Sequence, residues 1–120
     1  MANKSFLCVV LAIVCACAAA CGPAKAPKAS NAVLFDRAFA LMNKNDFRTA
    51  RILLDQSLKL DPNNAKANYS LAVCYLRSIP PDLDTAMDYR MRAQKLGYVV
   101  PQWFDSYYNF LRSKAKKAKK

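Results

Sequence analysis

The block LFDRAFALMNKNDFRTARILLDQSLKLDPN, from Leu34 to Asn63, restricts what the rest of the chain can do. It reads as two amphipathic helices joined by a tight turn. Leu34, Ala38 and Leu41 make one apolar stripe, at offsets of four and three. Asn43-Lys44-Asn45-Asp46 interrupts that stripe with residues that tolerate turns and cap helices. A second stripe follows through Phe47, Ala50, Leu53 or Leu54, Ser57 and Leu58, and Pro62 ends it. Ala38 and Ala50 fall where two antiparallel helices would cross, and their small size lets the backbones approach.

The pattern recurs. A shift of 34 residues takes Ala38 to Ala72, Leu41 to Tyr75, Phe35 to Tyr69 and Met42 to Leu76. This predicts a second pair, with helices over Ala65–Arg77 and Asp82–Leu96. Ala86 takes the place of Ala50 at an offset of 36, and the loop Ser78-Ile79-Pro80-Pro81 absorbs the two extra residues cheaply. Gly97 stands where a helix C-terminus favours glycine. A further shift of 36 takes Asn68 to Phe104, Leu71 to Tyr107 and Tyr75 to Leu111, so Pro101–Lys114 reads as a third first-helix without a partner. Tyr108 occupies the position of the small residues Ala38 and Ala72, which suits a capping helix that no second helix crosses. Trp103, Phe104, Tyr107, Phe110 and Leu111 give that cap a wide apolar face, read as core.

These residues resemble the tetratricopeptide repeat, whose signature over about 34 residues is W-x2-L-G-x2-Y, then A-x3-F, then P. Leu34 stands for the Trp, Ala38 for the Gly, Leu41 for the Tyr, Ala50 for the Ala, Leu54 for the Phe and Pro62 for the Pro, while Arg37 replaces the family's Leu. The resemblance covers roughly Asn31 to Ser113. It implies an all-α fold of two helix-turn-helix repeats plus a C-terminal capping helix, a short right-handed superhelix. It also implies a groove for a protein or peptide partner, lined by the first helices. The residues that would face it are Phe35, Phe39, Met42 and Asn43, then Lys66, Tyr69, Val73, Leu76 and Arg77, then Gln102, Asp105, Asn109 and Arg112 of the cap. The family's carboxylate-clamp subclass needs Lys and Asn in the first helix. Phe35 and Phe39 stand there instead, which argues against that kind of C-terminal capture. An aromatic-aliphatic groove suits an apolar peptide or a partner's helix. Equally, the two Phe could pack on neighbouring helices, since two units bury little surface. So short an array also leaves the same face open to a second copy.

The chain begins with Lys4, an apolar run from Phe6 to Ala20, and the small residues Ala18-Ala19-Ala20 before Cys21. The run is shorter than the about 20 residues of a transmembrane helix, so residues 1–20 read as a secretory signal. The junction Ala-Ala-Ala-Cys-Gly-Pro resembles a bacterial lipoprotein signal, with Ala18 in the usual Leu place. That resemblance implies lipidation of Cys21, acylation of the new N-terminus and stable membrane attachment. Val14-Cys15-Ala16-Cys17 is a second possible junction, and a plain secreted protein or an uncleaved anchor are the alternatives. Residues 21–30 then form an extended Pro/Ala/Lys tether. Gly22, rather than Asp, after the Cys implies the outer membrane facing the periplasm by the enterobacterial sorting habit.

Charge is concentrated at the ends. Residues 31–111 hold ten Lys/Arg against eight Asp, a net of +2 in a chain whose total is +11. The tail Lys114, Lys116, Lys117, Lys119 and Lys120 is expected to be disordered beyond the last helical turn. It is either a solvated terminus or a contact for anionic lipid, lipopolysaccharide or wall polymer. Nucleic acid is disfavoured, because no reading helix or stacking platform appears.

The chain has no His and no Glu, so the commonest general base and metal ligand is missing. The acidic cluster Asp82, Asp84 and Asp88 sits at a helix start and reads as capping, as does Asp46 with Asn45. Cys74, between Val73 and Tyr75, reads as a small buried apolar residue. Four of the five Cys lie in the first 21 residues, which is not a disulfide framework, and no Cys is spaced with His to hold zinc. The reading is a non-enzymatic adaptor without cofactor or metal.

Overall fold

The computed structural model describes residues 30–120. Among them the chain forms five α-helices and no strand: α1 Asn31–Asn43, α2 Phe47–Leu60, α3 Ala65–Leu76, α4 Leu83–Lys95 and α5 Gln102–Ala118. The expected signal, the lipidation site Cys21 and nearly all of the tether lie outside the described residues.

Short polar side chains start four of the helices. The carboxylate of Asp46 accepts from the Thr49 amide, Asn64 Oδ1 from the Ala67 amide and Asp82 from the Thr85 amide, each at 3.1 Å. Ser30 Oγ does the same for Val33. Each satisfies an amide that the first helical turn leaves without an intrahelical partner. Two helices stop by the same device. After α1, Asn45 adopts φ +61°, its amide reaches Met42 O and the Asp46 amide reaches Leu41 O. After α4, Gly97 adopts φ +90°, its amide reaches Gln94 O and the Tyr98 amide reaches Ala93 O. Both are paired-bond closures around one left-handed residue.

Helices α1 and α2 form one antiparallel pair and α3 and α4 the other, as the 34-residue recurrence predicts. The alanines are where the helices meet: Ala38 and Ala50 in the first pair, Ala72 and Ala86 in the second, all fully buried. Leu54, not Leu53, is the leucine of α2 that is fully enclosed. Ser57 Oγ donates to Asn31 Oδ1 and ties the end of α2 to the start of α1.

Two clusters make the core. Ala38, Ala50, Leu54, Ala67, Leu71 and Cys74 join α1, α2 and α3. Ala72, Val73, Leu76, Ala86 and Phe104 join α3, α4 and α5. α3 belongs to both clusters and is buried on nearly every side, as its all-round apolar sequence requires. Asn68 stands 34 residues after Leu34 and is buried like it. Its Nδ2 donates to Pro62 O and Asn64 O, so a polar side chain fastens the junction between the pairs.

α5 differs from expectation in two respects. It continues to Ala118, so the basic run Lys114–Lys117 is helical rather than disordered. Lys and Ala are strong helix formers, and cations in the last turn favour the dipole. Of its aromatic residues only Phe104 is fully buried; Trp103 is 43% and Phe110 51% exposed, so these two are not core. One helix face is too narrow to hide five large residues when no other helix among the described residues covers the far side.

Candidate protein-binding surface

The residues expected to line a groove divide into two groups. On α1, Phe39 is 54% exposed, the most open aromatic side chain among the described residues, and Asn43 is exposed beside it. Phe35 and Met42 are half-buried: Phe35 packs on the first cluster, and Met42 touches both. On α3, Lys66 and Arg77 are exposed at its two ends.

Val73 and Leu76, by contrast, are buried in the second cluster with Phe104. Tyr69 stacks on Tyr98 at 4.6 Å between ring centroids and lies 6.0 Å from the Phe104 ring. These three are therefore the seat of α5: Val73 and Leu76 are closed to a partner, and Tyr69 is left half-buried. The face of α3 that a longer array would leave to a groove is here closed by the cap. Burial raises the Tyr69 phenol to about 12, with Tyr98 and Asp105 adding to it. The glycine closure after α4 delivers Tyr98 to that stack.

On α5, Gln102, Asn109 and Arg112 are exposed, whereas Asp105 turns toward α4 and pairs with Arg90 at 2.8 Å. Asp105 is a fastening residue, not a groove residue. Trp103 and Tyr107 lie under Arg77, whose guanidinium carbon is 5.9 Å and 5.3 Å from the two ring centroids. Lys114 lies 5.0 Å over the Phe110 ring. Lys116, Lys117, Lys119 and Lys120 are exposed, and Lys116 and Lys119 face the loop around Pro80 and Pro81 together with Arg112.

The surface that remains available has an aromatic patch on α1 with Phe39 at its centre, and a second on α5 with Trp103 and Phe110. Arg77 lies beside the second patch. Trp103 and Phe110 escape sequence reasoning because apolar side chains at helical spacing look the same whether covered or not. A hollow of about 620 Å³ between α2 and α4, edged by Asp55, Lys59, Arg92 and Lys95, has no sequence signal either, since its walls come from both repeats. Desolvation raises the Asp55 carboxyl above the ordinary range, against the pull of Arg51 and Lys59.

Reactive chemistry has little to work with among the described residues. Cys74 is buried and its thiol is pushed up to about 12, chiefly by desolvation. No group of three His, Cys, Asp or Glu side chains gathers there to hold a metal ion. Asp46 and Asp82 are held below the ordinary carboxylate range by their bonds to Thr49 and Thr85, and serve as caps.

No characterised protein and no solved structure matches the chain. Two family models do, both described as tetratricopeptide repeat, one over residues 32–64 and the other over residues 53–94. The first match ends at Asn64, the cap of α3, and the second runs to the last turn of α4, so together they span both helix pairs. With paired helices, alanines at the crossings and matches that follow the helix boundaries, residues 32–94 of this chain are tetratricopeptide repeats, a module of protein–protein interaction.

Proposed function

We propose that the chain is a non-enzymatic adaptor that holds a protein partner at a bacterial cell envelope. In this reading Cys21 carries the lipid, the tether of residues 21–30 gives reach, and the repeats present the binding surface from the outer membrane toward the periplasm. The observation that carries it is Phe39, a large aromatic left 54% exposed on a first helix whose neighbours Leu34 and Ala38 are buried. Leaving about half of such a ring exposed forgoes about 1 kcal/mol of burial, an arrangement that favours a site for contact.

A photocrosslinker at Asn43, one turn from Phe39, tests the reading in detergent-solubilised envelope. The adaptor is supported if a discrete protein adduct forms, survives high salt and deletion of residues 113–120, and is lost in Phe39→Ala. An adduct indifferent to Phe39→Ala would refute it. The mass of the mature N-terminus separately decides whether the lipid sits on Cys21, on Cys17 or on neither.

A second reading, binding of anionic lipid, lipopolysaccharide or wall polymer through the C-terminal lysines, gains support from α5. A helix places Arg112, Lys116 and Lys119 on one face, where a disordered tail would scatter them. Binding that vanishes with residues 113–120 and falls steeply with salt would favour it.

A further inference from the structure

Three arginines converge on a cleft of about 1000 Å³ at the turn edge of the repeats. Arg48 and Arg51 come from the first turns of α2, and Arg77 caps the end of α3. Leu76, Tyr107 and Leu111 line the same cleft, which gives it apolar wall between the cations. Ile79 stands at its mouth, fully exposed.

The charges there are unbalanced. None of the three arginines makes an ion pair or a side-chain hydrogen bond among the described residues; the ion pair found there belongs to Arg90, elsewhere on the molecule. Two acids border the cleft, Asp46 and Asp82; each is bonded at the start of its helix and feels one cleft arginine, Arg48 and Arg51 in turn, so three cations there face two anions. Two of the arginines are also held in place. Arg51 lies 4.9 Å over the Tyr75 ring, and Arg77 lies over Trp103 and Tyr107. A guanidinium stacked by its face keeps its N–H edge free for a carboxylate and has less rotamer freedom to lose on binding.

We infer that this cleft receives an acidic segment of a protein partner, with carboxylates on Arg48, Arg51 and Arg77 and an apolar side chain against the half-buried Tyr107 and Leu111. Charge selects that occupant. Residues 1–29 contain three lysines and no acid, so that part of the chain cannot supply it. A second copy would bring a further +11 of like charge. The apolar wall argues for a peptide, since a free anion would leave it bare. The inference rests on the adaptor reading but uses a different surface from Phe39.

The test is anisotropy of a short labelled peptide bearing several glutamates around one phenylalanine, with the full chain in neutral detergent. We expect it to bind at least about tenfold more tightly than the same peptide with glutamines. Arg48→Gln and Arg77→Gln should each weaken it about fivefold or more, whereas Arg37→Gln, at an exposed position of α1 outside the cleft, should not. Equal binding of the two peptides overturns the inference. So does equal loss with Arg37→Gln, or full competition by inorganic phosphate or by vesicles of anionic lipid, which would make the cleft a general anion site. If the Asn43 adduct persists in Arg48→Gln/Arg77→Gln while the acidic peptide shows no preference, the cleft falls and the adaptor stands.

Discussion

Arg90 grips Asp105 across the packing of α4 and α5 with two parallel bonds, Nε to Oδ1 at 3.1 Å and Nη2 to Oδ2 at 2.8 Å. Nη1 reaches Gln94 Oε1 at 2.6 Å, which fixes the guanidinium from its own helix. Arg90 lies 36 residues after Leu54, the fully buried leucine of the first pair. Where the first repeat buries a hydrocarbon, the second sends out a charged fork that orients the capping helix.

The pair is partly open to water, with side-chain exposures of 19% and 42%, so screening reduces its worth. A double-mutant cycle with Arg90→Gln and Asp105→Asn should give a coupling of about 0.5–1 kcal/mol in urea unfolding. A coupling near zero would mean that apolar packing of Phe104 alone positions α5.

The Ala38/Ala72 recurrence, the Asp46 and Asp82 caps and the Gly97 stop are all legible in the sequence. Each depends on residues within a few positions or at a fixed repeat spacing. Tyr69, Val73 and Leu76 were misread as groove because their pattern is that of an exposed first-helix face; what buries them is the docking of α5, which no local period records. Trp103 and Phe110 were misread in the opposite sense. Asn68 was passed over because a polar residue at an apolar repeat position carries no signal until Pro62 O and Asn64 O come within reach. The arginine cleft joins positions nearly thirty apart in sequence, on two helices and beside a third.

Gly97 separates backbone strain from packing. A Cβ built there meets nothing within 4 Å, so Gly97→Ala adds no clash and costs only the left-handed φ of +90°. Unfolding should show a loss of about 1 kcal/mol. Gly97→Asn should lose less, because Asn tolerates that region, as Asn45 does at φ +61°. Equal stability of all three would mean the turn relaxes to another closure.

Leu54 and Ile52 test the assignment of α2. Leu54 is fully enclosed between the two pairs, and Ile52 is 57% exposed. Leu54→Ala should cost about 2–5 kcal/mol, whereas Ile52→Ala should stay within about 0.5 kcal/mol. Comparable losses would place α2 in a different rotation about its axis.

Cys74 gives a reporter of the core that needs no substitution. Its sulfur is enclosed by α1, α2 and α3, and the thiol is pushed up to about 12, so at mild alkaline pH almost no thiolate is available. Iodoacetamide followed by peptide mass mapping should leave Cys74 unmodified in the native chain and modify it fully in urea. Prompt native labelling would show that the first cluster opens.

The two aspartate caps set a direction for acid stability. Their bonds to Thr49 and Thr85 hold both carboxyls below the ordinary value of 3.8, so the folded chain binds their protons more weakly than the unfolded chain does. A depressed acid contributes stability that is complete above the unfolded value and is lost as pH falls through the folded one. The melting temperature should therefore decline below about pH 4, as these caps protonate. Asp46→Asn/Asp82→Asn keeps a capping oxygen but removes the titration. That variant should melt with a flatter dependence on pH in the acid range, while matching the parent most closely at the low end. An identical slope in both proteins would assign the acid sensitivity to other carboxylates.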